Sequence, residues 1–167
     1  MLTLPFLDEV RLYEQFHLDE PWDSPHNKSL IAKMPPMFVR PGLELEAGKT
    51  VFLGVAGRKG PFRELREDGA GARIGQINDG TSNAVLVVEC GEAAAEIWTK
   101  PADLSTNGEQ AVEATKDVPG GVTNVVMCDG SVHRVKQIPA EVWSRLLNMR
   151  DGQRVDIDDY APGASGK

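Results

Sequence analysis

"TNVVMCDGSVHRV", residues 123–135, decides the architecture of this chain. Two β-branched runs flank Asp129-Gly130, a dipeptide suited to a two-residue type I′ turn because both residues tolerate positive φ, so the stretch predicts a β-hairpin. A two-residue turn pairs Cys128 with Ser131 and Val126 with His133, which puts Cys128 and His133 on one face as diagonal neighbours. No other cysteine and histidine are arranged for a nucleophile and its base. No third group orients the imidazole, and a hairpin face with one histidine among valines reads equally as core margin.

Working outward, "IPAEVWSRLLNMRDG" (138–152) predicts a helix with Pro139 early, Glu141 in the first turn and Arg150 in the last, Gly152 as its cap, and Val142, Trp143, Leu146 and Leu147 on the buried face. Upstream, "INDGTSNAVLVVEC" (77–90) reads as a turn at Asp79-Gly80 followed by a valine-rich strand, "TVFLGV" (50–55) as a short strand, and Ile97 to Thr99 as a further one. The intervening "RKGPFRELREDGAGARIG" (58–75) has the composition of an exposed, mobile loop. Its glycines at 69–75 lack the spacing and the strand-to-helix context of a dinucleotide fingerprint.

Near the N-terminus, "PFLDEVRLYEQFH" (5–17) places Phe6, Val10, Tyr13 and Phe16 near helical spacing and predicts an amphipathic helix, stopped before Pro21. "DSPHNKSLIAKMPP" (23–36) predicts a second, with Ser24 as N-cap, Pro25 in the first helical position, Leu30, Ile31 and Met34 inward, and Pro35-Pro36 as the stop. Helices first, strands in the middle, then a hairpin and a last helix predict an α+β fold with a mainly antiparallel sheet. One domain over residues 1–152 is expected, followed by a flexible tail, "QRVDIDDYAPGASGK" (153–167).

The joint between the first two helices, "HLDEPWDSPHNK" (17–28), gathers two histidines, three acids and a tryptophan. Two readings compete. Asp19, Glu20 and Asp23 flank a helix start, where negative charge is stabilised by about 0.3–1 kcal/mol each, and Trp22, Asp23, Ser24 and His26 form a structural clasp. Alternatively a hard cation such as calcium sits among the carboxylates and turn carbonyls, although no regular ligand spacing marks the stretch. Asp79, Thr81 and Asn83 carry the same pair of readings: turn chemistry, or ligation of calcium or a polar solute.

The chain has 167 residues, 41% hydrophobic and 26% charged, with a net charge of −7. That is one globular domain's worth of core, and an acidic surface that repels nucleic acid. No apolar run approaches the roughly 20 residues that span a bilayer. Its two cysteines, Cys90 and Cys128, end apolar runs and read as small buried hydrophobes, or as a cross-strand disulfide requiring an oxidising compartment.

Four segments together resemble a large planctomycete family, a domain of unknown function labelled PulG-like putative transporter or solute-binding protein. "LPFLDEVRLYEQFHLDEPWDSPHNKSLIAKMP" (4–35) resembles its characteristic block. "INDGTSNAVLVVE" (77–89), "WTKPADL" (98–104) and "GGVTNVVMCDGSVHRV" (120–135) are similar to its later elements. The resemblance implies a pseudopilin-like head, exported to the cell envelope, whose usual prepilin-type helix is missing because this chain starts at the block itself. The family's histidine, separated from Asp-Gly by nine residues, falls on Pro119 here, so no role for it carries over.

Function is therefore expected to be non-enzymatic: assembly with other protein subunits, including copies of itself, through an exposed apolar patch. The alternative is a solute- or calcium-binding module with a concave pocket lined by Trp22, Trp98 or Trp143. An enzyme is a third reading. It would need two of His17, His26 and His133 to meet an acid in one cleft.

Overall fold

The hairpin forms, and the rest of the sheet is built on it. A computed structural model describes residues 1–62 and 72–164. In chain order its elements are α1 (Val10–Tyr13), α2 (Pro25–Lys28), β1 (Lys49–Thr50), β2 (Phe52–Ala56), β3 (Val85–Glu89), β4 (Glu96–Ile97), β5 (Leu104–Ser105), α3 (Gly108–Thr115), β6 (Thr123–Met127), β7 (Val132–Val135) and α4 (Ala140–Leu146), joined in part by 3-10 turns. Among the described residues these four helices and two mostly antiparallel sheets make an α+β fold, as expected. The segment 58–75, read as an exposed loop, lies for the most part outside the described residues.

The chain divides into two compact units: Met1–Val51 with Ala95–Ala102, and Phe52–Ala94 with Asp103–Lys167. Composition gave no sign of this division within the single module drawn from the sequence. The first unit carries the β1–β4 pair and a core of Leu4, Leu12, Phe16, Leu30 and Trp98. The second carries a five-stranded sheet in the order β5-β2-β3-β6-β7, with β5 parallel to β2 and the other neighbours antiparallel.

In the first unit the predicted helix over 5–17 is broken. A 3-10 turn, Leu4–Leu7, is separated from α1 by Asp8, whose φ of 60° is left-handed. Aspartate is one of the few non-glycine residues that adopts that conformation readily. The break rotates the buried stripe: Leu4, Leu12 and Phe16 face inward, while Phe6 is 87% exposed and Val10 46%. The second predicted helix is likewise split into α2 and a 3-10 turn, Ile31–Lys33, with Leu30 buried between them and Ile31 and Met34 packed partly against the core.

In the second unit the hairpin loop is one residue longer than a two-residue turn dictates. Val126 pairs with Val132 and Val125 with His133. The Gly130 N–H donates to the Met127 carbonyl at 3.0 Å and the Met127 N–H to the Ser131 carbonyl at 2.9 Å. With Gly130 at φ 87°, this is a three-residue loop ending in a left-handed glycine. Cys128 is thereby drawn into the loop, and a one-residue change of register moves a side chain to the opposite face. The expected Cys128–His133 pairing is corrected accordingly.

α4 buries Val142, Trp143, Leu146 and Leu147, as its pattern predicts. Each such burial stabilises by about 1.5–3 kcal/mol, which fixes the helix against the sheet. α3 crosses α4 so closely that a Cβ on Gly108 would lie 1.8 Å from the Ala140 carbonyl oxygen. Beyond Gly152, where a loose tail was expected, a 3-10 turn, Ile157–Tyr160, docks on β7: Ile157 is buried and the Lys136 N–H donates to the Tyr160 carbonyl at 2.9 Å.

Candidate functional site

The N-terminal clasp is organised by a residue that carries no obvious signal in the sequence. Asn27, 0% exposed, accepts the His17 N–H through Oδ1 at 3.0 Å. Its Nδ2 donates to the carbonyls of His17 and Pro21, both at 2.9 Å, and to that of Glu20 at 3.5 Å. Its own N–H donates to Ser24 Oγ at 3.1 Å, the N-cap bond expected at the start of α2. One side chain thus ties both ends of the turn together, beside the turn's own Glu20 N–H to His17 and Ser24 N–H to Pro21 carbonyl bonds. The only advance hint was an asparagine two residues inside a proline-initiated helix, a place where its short amide tends to seek backbone partners.

The polar residues singled out around it are peripheral. Asp23 and His26 are exposed and Trp22 is half-buried. The ring that closes this unit is Trp98: its Nε1 donates to the Ile31 carbonyl at 2.8 Å, and it meets Phe16 edge-on and Phe38 in a stack. His17 and His26 do converge, with ring centroids 3.6 Å apart and planes within 2°. His17 Nδ1 lies 2.8 Å from Glu20 Oε1, and His26 Nε2 lies 2.8 Å from the Gln15 carbonyl, which as a pure acceptor requires that nitrogen to carry the proton. A hydrogen bond from the Ser24 side chain, then one from His17, holds the Glu20 carboxyl below its ordinary value. The pair lies open to solvent: His26 is exposed and the His17 side chain is 49% exposed.

In the second unit Asp79 is 1% exposed and both of its oxygens are occupied: Oδ2 accepts the Asp151 N–H at 3.0 Å and Oδ1 the Gly152 N–H at 2.7 Å. The turn it begins also ties the hairpin loop, since the Thr81 carbonyl accepts from the Asp129 N–H at 3.2 Å and the Ala84 carbonyl from the Cys128 N–H at 2.9 Å. Thr81 serves through its backbone, and among the described residues Asn83 Nδ2 reaches only Ser82 Oγ, at 3.4 Å. Among the described residues no group of three or more histidines, cysteines or acids is placed to hold a metal ion.

At the hairpin loop Asp129 Oδ1 accepts from both the N–H and the Oγ of Ser131, at 2.8 and 2.7 Å, which pulls its carboxyl below the ordinary value. Ser131 Oγ lies 3.1 Å from His133 Nε2, and His133 Nδ1 lies 3.5 Å from Asp158 Oδ1. The chain of contacts has the order of a nucleophile relay. Its hydroxyl proton, however, is committed to Asp129, so His133 serves Ser131 as a donor and not as a base. Burial pushes the Cys90 thiol up to about 12 and the Cys128 thiol up to about 11, and both cysteines are free. They lie by opposite ends of β3, six residues or roughly 20 Å of strand apart, far beyond disulfide reach.

No family model matches this chain, and neither the curated proteins nor the solved structures contain a match. No enzyme family or relative is therefore found for it. No helix among the described residues is long and apolar enough to cross a membrane.

Proposed function

We propose that this chain is a non-enzymatic, pseudopilin-like module of the PulG-like family, acting in protein assembly or contact at the cell envelope. The observation that supports the reading is the outward-facing apolar set at the start of the chain. Leu2, Phe6 and Val10 are 62%, 87% and 46% exposed, at intervals of four residues, and Phe6 contributes almost its whole ring to solvent. A large aromatic side chain held in water carries an unrecovered hydrophobic cost that a protein partner removes, and aromatic anchors of this kind dominate contact energies.

A second copy of the chain is the simplest occupant for such a surface. The test is a native mass spectrum and sedimentation velocity across a concentration series, on the wild-type chain and on Phe6→Ser. Since Phe6 packs against so little, the substitution leaves the fold intact by circular dichroism. Concentration-dependent oligomers that Phe6→Ser abolishes are expected. A wild-type chain that stays monomeric at its highest soluble concentration, or oligomers indifferent to the substitution, would overturn self-assembly through this surface.

A further inference from the structure

Between α3, the first residue of β6, the end of β7 and α4, the second unit forms a half-open cavity of about 200 Å³. Trp143, Val135 and Ile138 give it an apolar wall, all of them buried, and Val112 stands at its rim. Its polar lining comes from separate elements. Thr115 on α3 donates its hydroxyl to the Ala111 carbonyl at 2.8 Å, leaving lone pairs but no proton for a guest. Lys116 is paired with Glu113. The Lys136 ammonium has no ion-pair partner among the described residues, and Gln137 beside it holds a left-handed φ of 54°.

Thr123 is the informative residue. It is 5% exposed and lines the cavity, and its hydroxyl opens on that space: among the described residues the one buried side-chain polar atom without a partner is Thr99 Oγ1, and no protein group is shown bonding the Thr123 hydroxyl. A donor hydroxyl and an ammonium next to an aromatic and aliphatic wall are complementary to one kind of guest: an anionic oxygen on a short apolar body. The cavity lies below the roughly 300–1,000 Å³ that holds a drug-sized ligand, so the guest is small. Lys136 is thus the cation available to a guest, on a chain whose net charge is −7.

We infer that this cavity binds a small organic carboxylate, its apolar body against Trp143, Val135 and Ile138 and its carboxylate accepting from Thr123 and Lys136. The site is independent of the contact surface proposed above, and both can operate in one molecule.

The test is an NMR titration of the full chain with benzoate and, separately, valerate. Benzyl alcohol, with a ring but no charge, and inorganic phosphate, with charge but no apolar body, are the controls. Saturable shifts at Thr123, Lys136, Gln137 and the Trp143 indole are expected with a carboxylate. Benzyl alcohol and phosphate should each bind about tenfold more weakly or worse, the scale of one lost hydrogen bond to a charged group. Lys136→Met and Thr123→Val should each weaken the carboxylate several-fold with the remaining spectrum unchanged. Should Thr123→Val fail to fold, Lys136→Met, whose side chain reaches the rim, decides alone. The inference is overturned if neither carboxylate gives saturable shifts at these residues, if a control binds as tightly, or if Lys136→Met is without effect.

Discussion

The Asn27 carboxamide pairs with both sides of His17, ten residues earlier: Oδ1 accepts its N–H at 3.0 Å and Nδ2 donates to its carbonyl at 2.9 Å. The same side chain holds the Pro21 carbonyl, so Asn27→Ala orphans the His17 N–H and takes one of two partners from the His17 and Pro21 carbonyls, which keep the Glu20 and Ser24 N–H groups. The orphaned N–H costs about 1–3 kcal/mol and each lost carbonyl bond about 0.5–1.5 kcal/mol, partly relieved by water entering the turn, and a net loss of roughly 2–4 kcal/mol is expected. Ser24→Ala removes one cap bond and should cost about 0.5–2 kcal/mol. Asp23→Ala alters an exposed residue and should stay within about 0.5 kcal/mol. Thermal unfolding of the three variants checks that ranking. A drop for Asp23→Ala as large as that for Asn27→Ala would contradict the hydrogen-bond hub.

Asp79→Ala strips the acceptors from two backbone amides, those of Asp151 and Gly152, and releases the loop that follows α4. Because charged acceptors make the stronger bonds, a loss of roughly 2–4 kcal/mol is expected. Asp79→Asn keeps one acceptor oxygen and should lose about half as much. Hydrogen exchange at Asp151 and Gly152, measured beside the melting temperature, distinguishes local release from general destabilisation: both amides should lose protection first.

What the sequence disclosed and what it withheld follow from how local each signal is. The hairpin and α4 were readable because Asp129-Gly130 and the Val142, Trp143, Leu146, Leu147 stripe are contained in their own segments. The hairpin register was not, since Asp-Gly serves a two-residue turn and a three-residue loop equally well, and the difference is made by how β6 pairs with β3. α3 went unseen because it buries only Gly108 and Ala111, too little apolar surface for a stripe; its one signal was Asn107, whose Oδ1 caps the Glu109 N–H at 2.9 Å. At the site, the histidines and acids drew notice by type, while Asn27, whose importance lies entirely in partners six to ten residues away, looked ordinary.

Acid should act on the hairpin loop through Asp129. Its carboxyl is depressed below the unfolded value chiefly by the Ser131 hydroxyl, then by the Ser131 N–H. A depressed acid contributes stability that is fully present above its unfolded pKa, near 3.9, and is lost as pH falls through the lower folded value. Ser131→Ala removes the largest cause. A carbon-detected NMR titration should show Asp129 rising toward about 3.9 in that variant. An unchanged titration would assign the depression to another source.

Both thiols should be slow nucleophiles. Burial raises Cys90 to about 12 and Cys128 to about 11, and the reactive species is the thiolate. Treated with an aromatic disulfide reagent at mildly alkaline pH, the native chain should react at Cys128, the half-buried one, well before Cys90. Urea should make both react promptly. A native mass lower by two hydrogens would reveal a disulfide and refute the strand geometry that separates them.

Gly108→Ala sets two effects against each other. Alanine favours a helix by about 1 kcal/mol over glycine, and Gly108 has no positive φ to protect. Sterically, the added Cβ would sit 1.8 Å from the Ala140 carbonyl oxygen and 2.5 Å from Ser144 Oγ, whose hydroxyl accepts the Gly108 N–H at 3.1 Å. Backbone cannot yield at that distance, so α3 must move off α4 and give up that bond as well. Overpacking of this kind typically costs about 1–3 kcal/mol, which exceeds the helix gain, and a net destabilisation is expected. Ser144→Ala alone keeps the approach and loses only the bond, so it should cost less. If Gly108→Ala proved neutral or stabilising in thermal unfolding, the close crossing of α3 and α4 would be wrong.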